Sequence, residues 1–394
     1  MTATSGVDFP AARRERATAP VLPARLTSLD LWRGVVMVLM AIDHVRVYSG
    51  VPAGGPTAGV FFTRWVTHFC APGFVFLAGI AAFLYGRKVA DPRELSRYLL
   101  TRGLLLVVLE LTVVRLSWTF TPASLAAPLA GVIWMLGWCM VLMSPLVRLP
   151  TTAIAIFGLA TIFAQEVFGL LAGALPAELA WVGQFVYAGG EVVLGGITVT
   201  VLYSIVPWIG VMAAGYAFGA VLLREPEARR RACLRIGLAS TIAFLIVAVA
   251  VVASNRNTAM PALFQVLNQR KYPASPLYLL MTLGPPIALL PLAERARGAL
   301  AGLFTTFGRV PMFYYLLHIP VIHLIALLVW KIRDGQVHPE WFASAPYASV
   351  PPEQRWSLAL LYLVFVVSIL ALYFPCRWFA GVKKRRYNPL LRYL

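Results

Sequence analysis

The sequence predicts an all-α, multi-pass bundle of about ten membrane-spanning helices, from its composition and from where its charges fall. Of the 394 residues, 60% are hydrophobic and 13% are charged, and the mean hydropathy is +0.77. A soluble domain is about 25% charged, so this chain lacks the polar residues that would cover a surface facing water. The net charge of +18 comes from short basic clusters between apolar segments. That pattern is typical of membrane topology and does not indicate nucleic-acid binding.

Ten apolar segments are long enough to cross a hydrocarbon core of about 30 Å. They are residues 28–48, 60–86, 98–118, 126–147, 151–174, 199–223, 233–253, 275–293, 304–330 and 357–379. Between the fifth and the sixth segment, residues 175–198 are rich in aromatic residues and glycine. We interpret this stretch as an outer loop that could dip back towards the membrane.

The distribution of Lys and Arg predicts the orientation of these helices. With the N-terminus inside, 22 of the 34 Lys and Arg residues fall in inner segments and 6 in outer segments. This positive-inside pattern places both termini in the cytoplasm. The predicted organisation is a disordered basic tail over 1–27, a transmembrane domain over 28–380 and a basic tail over 381–394. The four cysteines form no CxxC pair, so we expect no disulfide framework and no bound metal.

The first predicted helix carries ionisable residues on one face. At about 100° per residue, Asp30, Arg33 and His44 fall on a single stripe, whereas Asp43 lies about 100° from His44. Arg33 and His44 are 11 residues apart, which is roughly 16 Å along the helix axis. Ionisable groups at this depth are costly and tend to mark function. The stripe must therefore line a cavity or a polar bundle interior and cannot face lipid.

The polar residues of the other predicted spans gather at two levels. Towards the cytoplasm lie Arg33, Arg102 and Arg309; towards the outside lie Asp43, His44, His68, Glu110 and, less centrally, His323. Alternative interpretations remain open at this point. Glu110 could form a structural pair with Arg115 or Arg102, and His318 and His323 could be buried, hydrogen-bonded histidines. Pro72 should kink the second helix and free one carbonyl.

These two levels favour group transfer across the membrane. A histidine beside a carboxylate can act as a general base towards a hydroxyl, amine or thiol, and arginines bind phosphate groups through bidentate hydrogen bonds. An activated donor would then bind from the cytoplasm and an acceptor from outside. The sequence contains no GxxxxGK[ST], GxSxG or HExxH motif. A solute or proton-coupled transporter is the alternative, because the proline-interrupted stretches at 284–286 and 318–320 are also typical of transporters.

Five segments, taken in order, carry a resemblance to a known family. They read RLTSLDLWRGVVMVLMAIDHVR, TRWVTHFCAPGFVFLAG, IVPWIGVMAAGYAFG, KYPASPLYLLMTLGP and FGRVPMFYYLLH. Together they resemble bacterial membrane proteins grouped with the catalytic domain of heparan-α-glucosaminide N-acetyltransferase, within a wider transmembrane acyltransferase superfamily. The resemblance implies a multi-pass protein of the bacterial cytoplasmic membrane, acetyl-CoA or another acyl-CoA as cytoplasmic donor, and an extracytoplasmic sugar or amine acceptor. It also suggests a homodimer in the lipid bilayer.

The resemblance guides the assignment of roles to residues. Arg33 and His44 match the superfamily's pattern of an Arg near the start of helix one and a His eleven residues later. In the lysosomal enzyme the histidine assigned to catalysis follows the first helix, but the corresponding stretch here, VYSGVPAGGPTAGV, contains none. We therefore expect His44 to be the general base or acyl carrier, with His68 as the alternative. Asp43 or Glu110 would orient it, while the donor's phosphates would contact Arg33, Arg309 and Arg102.

Overall fold

The computed structural model of the protein describes residues 26–55, 57–89, 91–254 and 260–385. Of the described residues, 77% are helical, so the prediction of a mostly helical membrane protein is confirmed. Residues 1–25 of the predicted N-terminal tail and residues 386–394 of the predicted C-terminal tail lie outside the described residues. Residues 381–385, which we assigned to that second tail, continue the last helix.

Sixteen α-helices and three short strands make up the described chain. The first eight helices are α1 (Thr27–Ser49), α2 (Ala58–Trp65), α3 (Cys70–Gly86), α4 (Pro92–Leu109), α5 (Arg115–Thr119), α6 (Val132–Leu146), α7 (Thr151–Phe163) and α8 (Gln165–Gly173). The other eight are α9 (Ala180–Gly183), α10 (Trp208–Leu222), α11 (Pro226–Ser254), α12 (Ala262–Leu267), α13 (Pro276–Ala293), α14 (Ala299–Arg309), α15 (Pro311–Asp334) and α16 (Leu358–Arg385). The strands are β1 (Leu129–Ala130), β2 (Gly190–Leu194) and β3 (Ile197–Val201).

The predicted count of ten spans is not confirmed. Five stretches in the described part of the chain are long and apolar enough to cross a membrane: Ala58–Gly86, α11, α13, α15 and α16. The pair α7 and α8, bent by 61°, makes a sixth if it is counted as one span. Helices α6 and α10 are apolar but have only 15 residues each, which is about 22 Å of helix. Helix α1 is long enough, at 23 residues, but it is less apolar because it carries five ionisable residues: Asp30, Arg33, Asp43, His44 and Arg46.

The prediction that residues 304–330 form one continuous helix, the ninth span, is wrong. Helix α14 ends at Arg309 and α15 begins at Pro311, with Val310 between them in a non-helical conformation (φ −129°, ψ 52°). A residue before proline avoids the helical region because it collides with the proline ring. The break places Arg309 and the histidines of α15 on two separate helices.

The stretch 175–198, which we interpreted as a loop, contains regular structure, and a small three-stranded sheet accompanies the helices. Strands β2 and β3 form an antiparallel hairpin, and β1 pairs with β3 in parallel, giving the order β1-β3-β2. The alternating ITVTV of β3 suits a strand with two different faces. Gly195 and Gly196 form the tight turn at φ of 55° and 83°, which is the conformation that two-residue hairpin turns require. The predicted sixth span, 199–223, therefore begins only at Trp208.

The carbonyl that Pro72 was predicted to free has found another partner. Because proline has no N–H, the carbonyl of His68 four residues earlier loses its helical donor. The hydroxyl of Tyr278 on α13 donates to that carbonyl instead, at 2.7 Å. His68 lies in the 3-10 turn Val66–Phe69 between α2 and α3, so this hydrogen bond attaches the α2–α3 junction to α13 next to a histidine of the predicted site.

Helix α1 lies at the centre of the bundle, which explains how it can carry so many polar residues. It packs against α14, α15, α16, α3 and α13. The approach of α14 is so close that a Cβ on Gly34 would lie 1.8 Å from the carbonyl oxygen of Phe304, and a Cβ on Gly308 would lie 1.8 Å from that of Asp30. The polar stripe of α1 therefore faces other helices and not lipid.

The contact between α1 and α14 leads to a prediction about stability. We expect Gly308→Ala to lower the melting temperature of the detergent-solubilised protein, because an overpacked contact costs about 1–3 kcal/mol. Gly302→Ala on the same helix is the matched control. A Cβ there meets no atom of the described residues within 4 Å, and alanine is favoured over glycine inside a helix by about 1 kcal/mol. Equal melting temperatures for the two variants would contradict the close packing.

Candidate active site

A cavity of about 1080 Å³ opens among α1, α3, α4, α6, α15 and α16. We call it the basic cavity, because the described residues that line it include seven cations and no carboxylate. The cations are Arg33, Lys88, Arg102, Arg309, Arg377, Lys383 and Lys384. All three arginines that the sequence analysis assigned to the donor therefore line one space. Four further cations, from the end of α3 and from α16, were missed because they lie in clusters that we interpreted only as topology signals.

The three predicted arginines differ in how firmly they are held. Arg33 pairs with Asp30 at 3.1 Å and donates to the carbonyl of Gly308 at 3.0 Å. Arg102 donates to the hydroxyl of Tyr98 at 3.1 Å. Arg309, at the end of α14, is exposed. Arg33 is thus part of the α1–α14 contact as well as of the cavity wall, whereas Arg309 presents its charge to the open space.

The structure brings together two histidines that the sequence analysis did not pair. Nδ1 of His44 lies 2.7 Å from Nε2 of His318 on α15, and the two ring centroids are 4.8 Å apart with the ring planes inclined by 27°. The ring of Trp118 meets His44 edge-on at 4.8 Å. His318 is fully buried, and Tyr315, which lines the inner part of the basic cavity, lies beside it with ring centroids 5.2 Å apart. The histidine pair therefore adjoins the end of the basic cavity.

Asp43 lies next to His44 in sequence but does not hold its ring. Its carboxylate pairs with Arg46 at 3.0 Å, and Arg46 also donates to the carbonyl of Val51. Helix α1 continues without unwinding to Ser49, so Asp43 keeps its different direction. The structure places Asp43 among Arg46, Arg64 and Lys271, on the side of the histidine pair away from the basic cavity.

Glu110 serves as a cap for another helix. It is buried in the π-helical turn Glu110–Val114, and its Oε2 accepts a hydrogen bond from the backbone N–H of Ile133 at 3.0 Å. A carboxylate at this position satisfies the free N–H groups at the start of α6 and complements the helix dipole. A Cβ on Gly131 would lie 2.4 Å from Oε1, so the glycine makes room for it. The structural pairing with Arg115 or Arg102 does not occur in the described residues.

The other two histidines of the predicted outer level have different surroundings. His68 is buried, and its Nδ1 has no hydrogen-bond partner among the described residues; Arg64 and Lys271 are its charged neighbours. His323 stacks between Tyr48 at 4.6 Å and Phe120 at 4.1 Å. His323 is therefore a packing residue, while His68 belongs to the same polar region as Asp43.

A second cavity, of about 620 Å³, lies at the opposite end of the bundle. We call it the sheet cavity, because strands β2 and β3 form part of its wall. Two buried cations line it, Arg115 and Lys271. Arg115 donates to the carbonyls of Ser124 and Ala345, and Nζ of Lys271 lies 5.1 Å from the ring centroid of Tyr272. Neither cation forms an ion pair within the described ranges.

No group of three or more His, Cys, Asp or Glu side chains converges in the described residues as a metal ion would require. The candidate site consists of these two cavities and the pair His44 and His318, which lines neither of them. Tyr315 of the basic cavity lies beside His318, and Lys271 of the sheet cavity is a charged neighbour of His44. Such an arrangement can bind an anionic donor in the basic cavity and hold a basic side chain near the reacting group of that donor.

Comparison with known proteins identifies the family. No curated protein matches the sequence. The family model described as "Heparan-alpha-glucosaminide N-acetyltransferase, catalytic" matches residues 25–253. That range contains α1 to α10 and most of α11, with His44, His68, Glu110 and Arg102, whereas Arg309 and His318 lie beyond it. Because the match covers more than half of the chain, the protein belongs to the heparan-α-glucosaminide N-acetyltransferase catalytic family, whose members are transmembrane acetyltransferases.

Proposed function

We propose that the protein transfers an acetyl or other acyl group from acyl-CoA, bound in the basic cavity, to an acceptor bound in the sheet cavity. The observation that carries the proposal is that the His44–His318 pair has a neighbour from each cavity, Tyr315 beside His318 and Lys271 near His44. The family membership supports acyl transfer as the reaction. The positive-inside pattern supports a cytoplasmic position for the basic cavity, so the acceptor would arrive from the other side of the membrane.

The lining of the basic cavity suits the charged end of coenzyme A. Its seven cations face a molecule whose phosphates carry several negative charges, and guanidinium groups bind phosphate through paired hydrogen bonds. The apolar part of the same lining, which includes Met37, Leu106 and Ile133, suits the uncharged arm that ends in the thioester. The donor would therefore enter with its thioester leading towards Tyr315 and the histidine pair.

The proposed chemistry balances in either of two forms. In direct transfer, His44 takes the proton from the acceptor's amine or hydroxyl, the nitrogen or oxygen attacks the thioester carbonyl, and the C–S bond breaks; His44 then returns the proton to the thiolate. In the two-step form, a nitrogen of His44 attacks the thioester carbonyl, the C–S bond breaks, and the proton of the other ring nitrogen passes to the thiolate, so that CoA leaves as the thiol and the ring becomes a neutral acyl-imidazole. The acceptor then attacks the acyl-imidazole and regenerates the neutral histidine. Both forms need a neutral His44 with one free ring nitrogen.

The sheet cavity supports an acceptor that carries a negative charge. Buried cations are costly unless they are paired. Among the described residues neither Arg115 nor Lys271 has a carboxylate within ion-pair distance, although Glu191 lines the same cavity and Asp43 is a charged neighbour of Lys271. A carboxylate, sulfate or phosphate on the acceptor would supply that partner. The aromatic rings of Trp208, Tyr272 and Tyr347 in the same wall suit the face of a sugar. An acidic amino sugar combines these features.

One experiment tests the donor, the reaction and the acceptor charge together. The purified protein in detergent is heated with and without CoA, and is then incubated with labelled acetyl-CoA and pairs of amino sugars that differ only in one acidic group. We expect CoA to raise the melting temperature, as a ligand of the folded state does, and the acidic member of each pair to accept more label. Absence of both stabilisation and transfer would reject the acyltransferase.

A transporter remains the alternative that this experiment separates. Two cavities that approach from opposite ends, together with prolines inside α13 and α15, are also found in transporters. Stabilisation by an acidic sugar without any effect of CoA would favour transport. Stabilisation by CoA together with transfer of label favours the enzyme.

A further inference from the structure

The hydrogen-bond partners of His318 define which of its ring nitrogens carries a hydrogen. Its Nδ1 lies 2.5 Å from the carbonyl oxygen of Tyr315 and 3.2 Å from that of Tyr314. Carbonyl oxygens only accept hydrogen bonds, so Nδ1 of His318 must be the donor. Both carbonyls belong to the preceding turn of α15, and the histidine is therefore held by its own helix.

The surroundings of His318 favour its neutral form. The side chain is fully buried, and no carboxylate lies within ion-pair distance of it in the described parts of the chain. A buried imidazolium without a counter-ion would be strongly unfavourable. With Nδ1 protonated and the ring neutral, Nε2 of His318 carries a lone pair and acts as an acceptor.

This assignment determines the state of His44. Nε2 of His318 lies 2.7 Å from Nδ1 of His44, and a short contact between two ring nitrogens requires one hydrogen between them. Since His318 contributes the lone pair, His44 must donate from Nδ1. In the neutral form of His44, which the proposed chemistry requires, Nε2 is then the nitrogen without a hydrogen.

We propose that His318 is the residue that positions His44, fixing it in the Nδ1-protonated tautomer so that Nε2 is the reactive atom. The role rests on the proposed function, because it assumes that His44 reacts; the tautomer itself does not depend on it. Asp43 cannot take this role, because its carboxylate is paired with Arg46. When His44 gains a proton at Nε2, its Nδ1–H becomes a charged donor, and the bond to His318 strengthens.

Nuclear magnetic resonance of ¹⁵N-histidine-labelled protein tests the tautomer without any activity. The chain has only five histidines, so the signals of His44 are those lost in His44→Asn. We expect Nδ1 of His44 to be protonated and Nε2 to be bare in the wild type. In His318→Leu, which cannot accept a hydrogen bond, we expect that preference to be lost. A wild-type signal from His44 with Nε2 protonated, or no change in His318→Leu, would overturn the proposal.

Turnover tests the positioning role. We expect His318→Leu to lower kcat at least tenfold, out of the roughly 10²–10⁴-fold that a general base contributes, with the affinity for CoA unchanged. His318→Gln should recover most of the rate, because its Oε1 can accept from Nδ1 of His44. Equal rates in the two variants would mean that His318 only fills space. If even the wild type transfers no acyl group, the proposed function fails, and the resonance experiment still decides the tautomer.

Discussion

Replacing His44 by alanine is expected to slow acyl transfer by about 10²–10⁴-fold, the range that removal of a general base produces. The reason is its position: the His44–His318 pair has a neighbour from each cavity, and the ring of His44 is held by His318 and Trp118. His44 does not line the basic cavity, so the affinity for CoA should be unchanged. Single-turnover rates with labelled acetyl-CoA and titration of CoA binding measure the two effects separately.

His68→Ala is the comparison for this experiment. His68 lies in the polar region around Arg64 and Lys271 and has no contact with the His44–His318 pair among its described hydrogen bonds and ring contacts. We expect it to lose less activity than His44→Ala. If His44→Ala stays within about threefold of the wild type, well short of the general-base range, while His68→Ala is inactive, the chemistry belongs to His68.

Reversing the charge of Arg309 is expected to weaken CoA binding by about 10²-fold. A hydrogen bond to a charged group contributes about 1.5–3 kcal/mol, and a carboxylate at the same place would also repel the phosphates. Arg309 is exposed and lines the basic cavity, so Arg309→Glu should fold normally. Equilibrium binding of CoA to the detergent-solubilised protein at two salt concentrations provides the measurement, and the effect should shrink at high salt.

Arg231→Glu is the matched control for Arg309→Glu. Arg231 is exposed on α11 and does not line the basic cavity, yet its substitution changes the net charge equally. We expect CoA affinity to be almost unchanged in this variant. Equal weakening in both variants would show that the overall charge of the protein, and not the cavity, attracts CoA.

The membrane class and the cation level could be predicted from the sequence alone. Hydropathy and the Lys/Arg distribution depend only on which residues occur and in what order along the chain, so they can be interpreted without knowledge of tertiary contacts. Arg33, Arg102 and Arg309 could be placed at one depth because a helix advances by a fixed 1.5 Å per residue. The free carbonyl one turn before Pro72 followed from the missing N–H of proline. The pairing of Asp43 with Arg46 could also have been predicted, since residues three apart on a helix are neighbours.

Contacts between distant segments were decided by the tertiary structure only. His44 and His318 are 274 residues apart, and helical periodicity says which face a residue occupies but not which helix meets that face. Glu110 could be seen as a buried carboxylate, but its role as the cap of α6 depends on how that helix packs. The strands were missed for two reasons: β2 lies inside the stretch 175–198 that we interpreted as a loop, and β3 crosses from that stretch into the apolar segment predicted as the sixth span. The sequence by itself determined the kind of protein and the depth of its charges, because both are local properties. The pairing of His44 with His318 was decided by packing, because it depends on how two helices far apart in the chain contact each other.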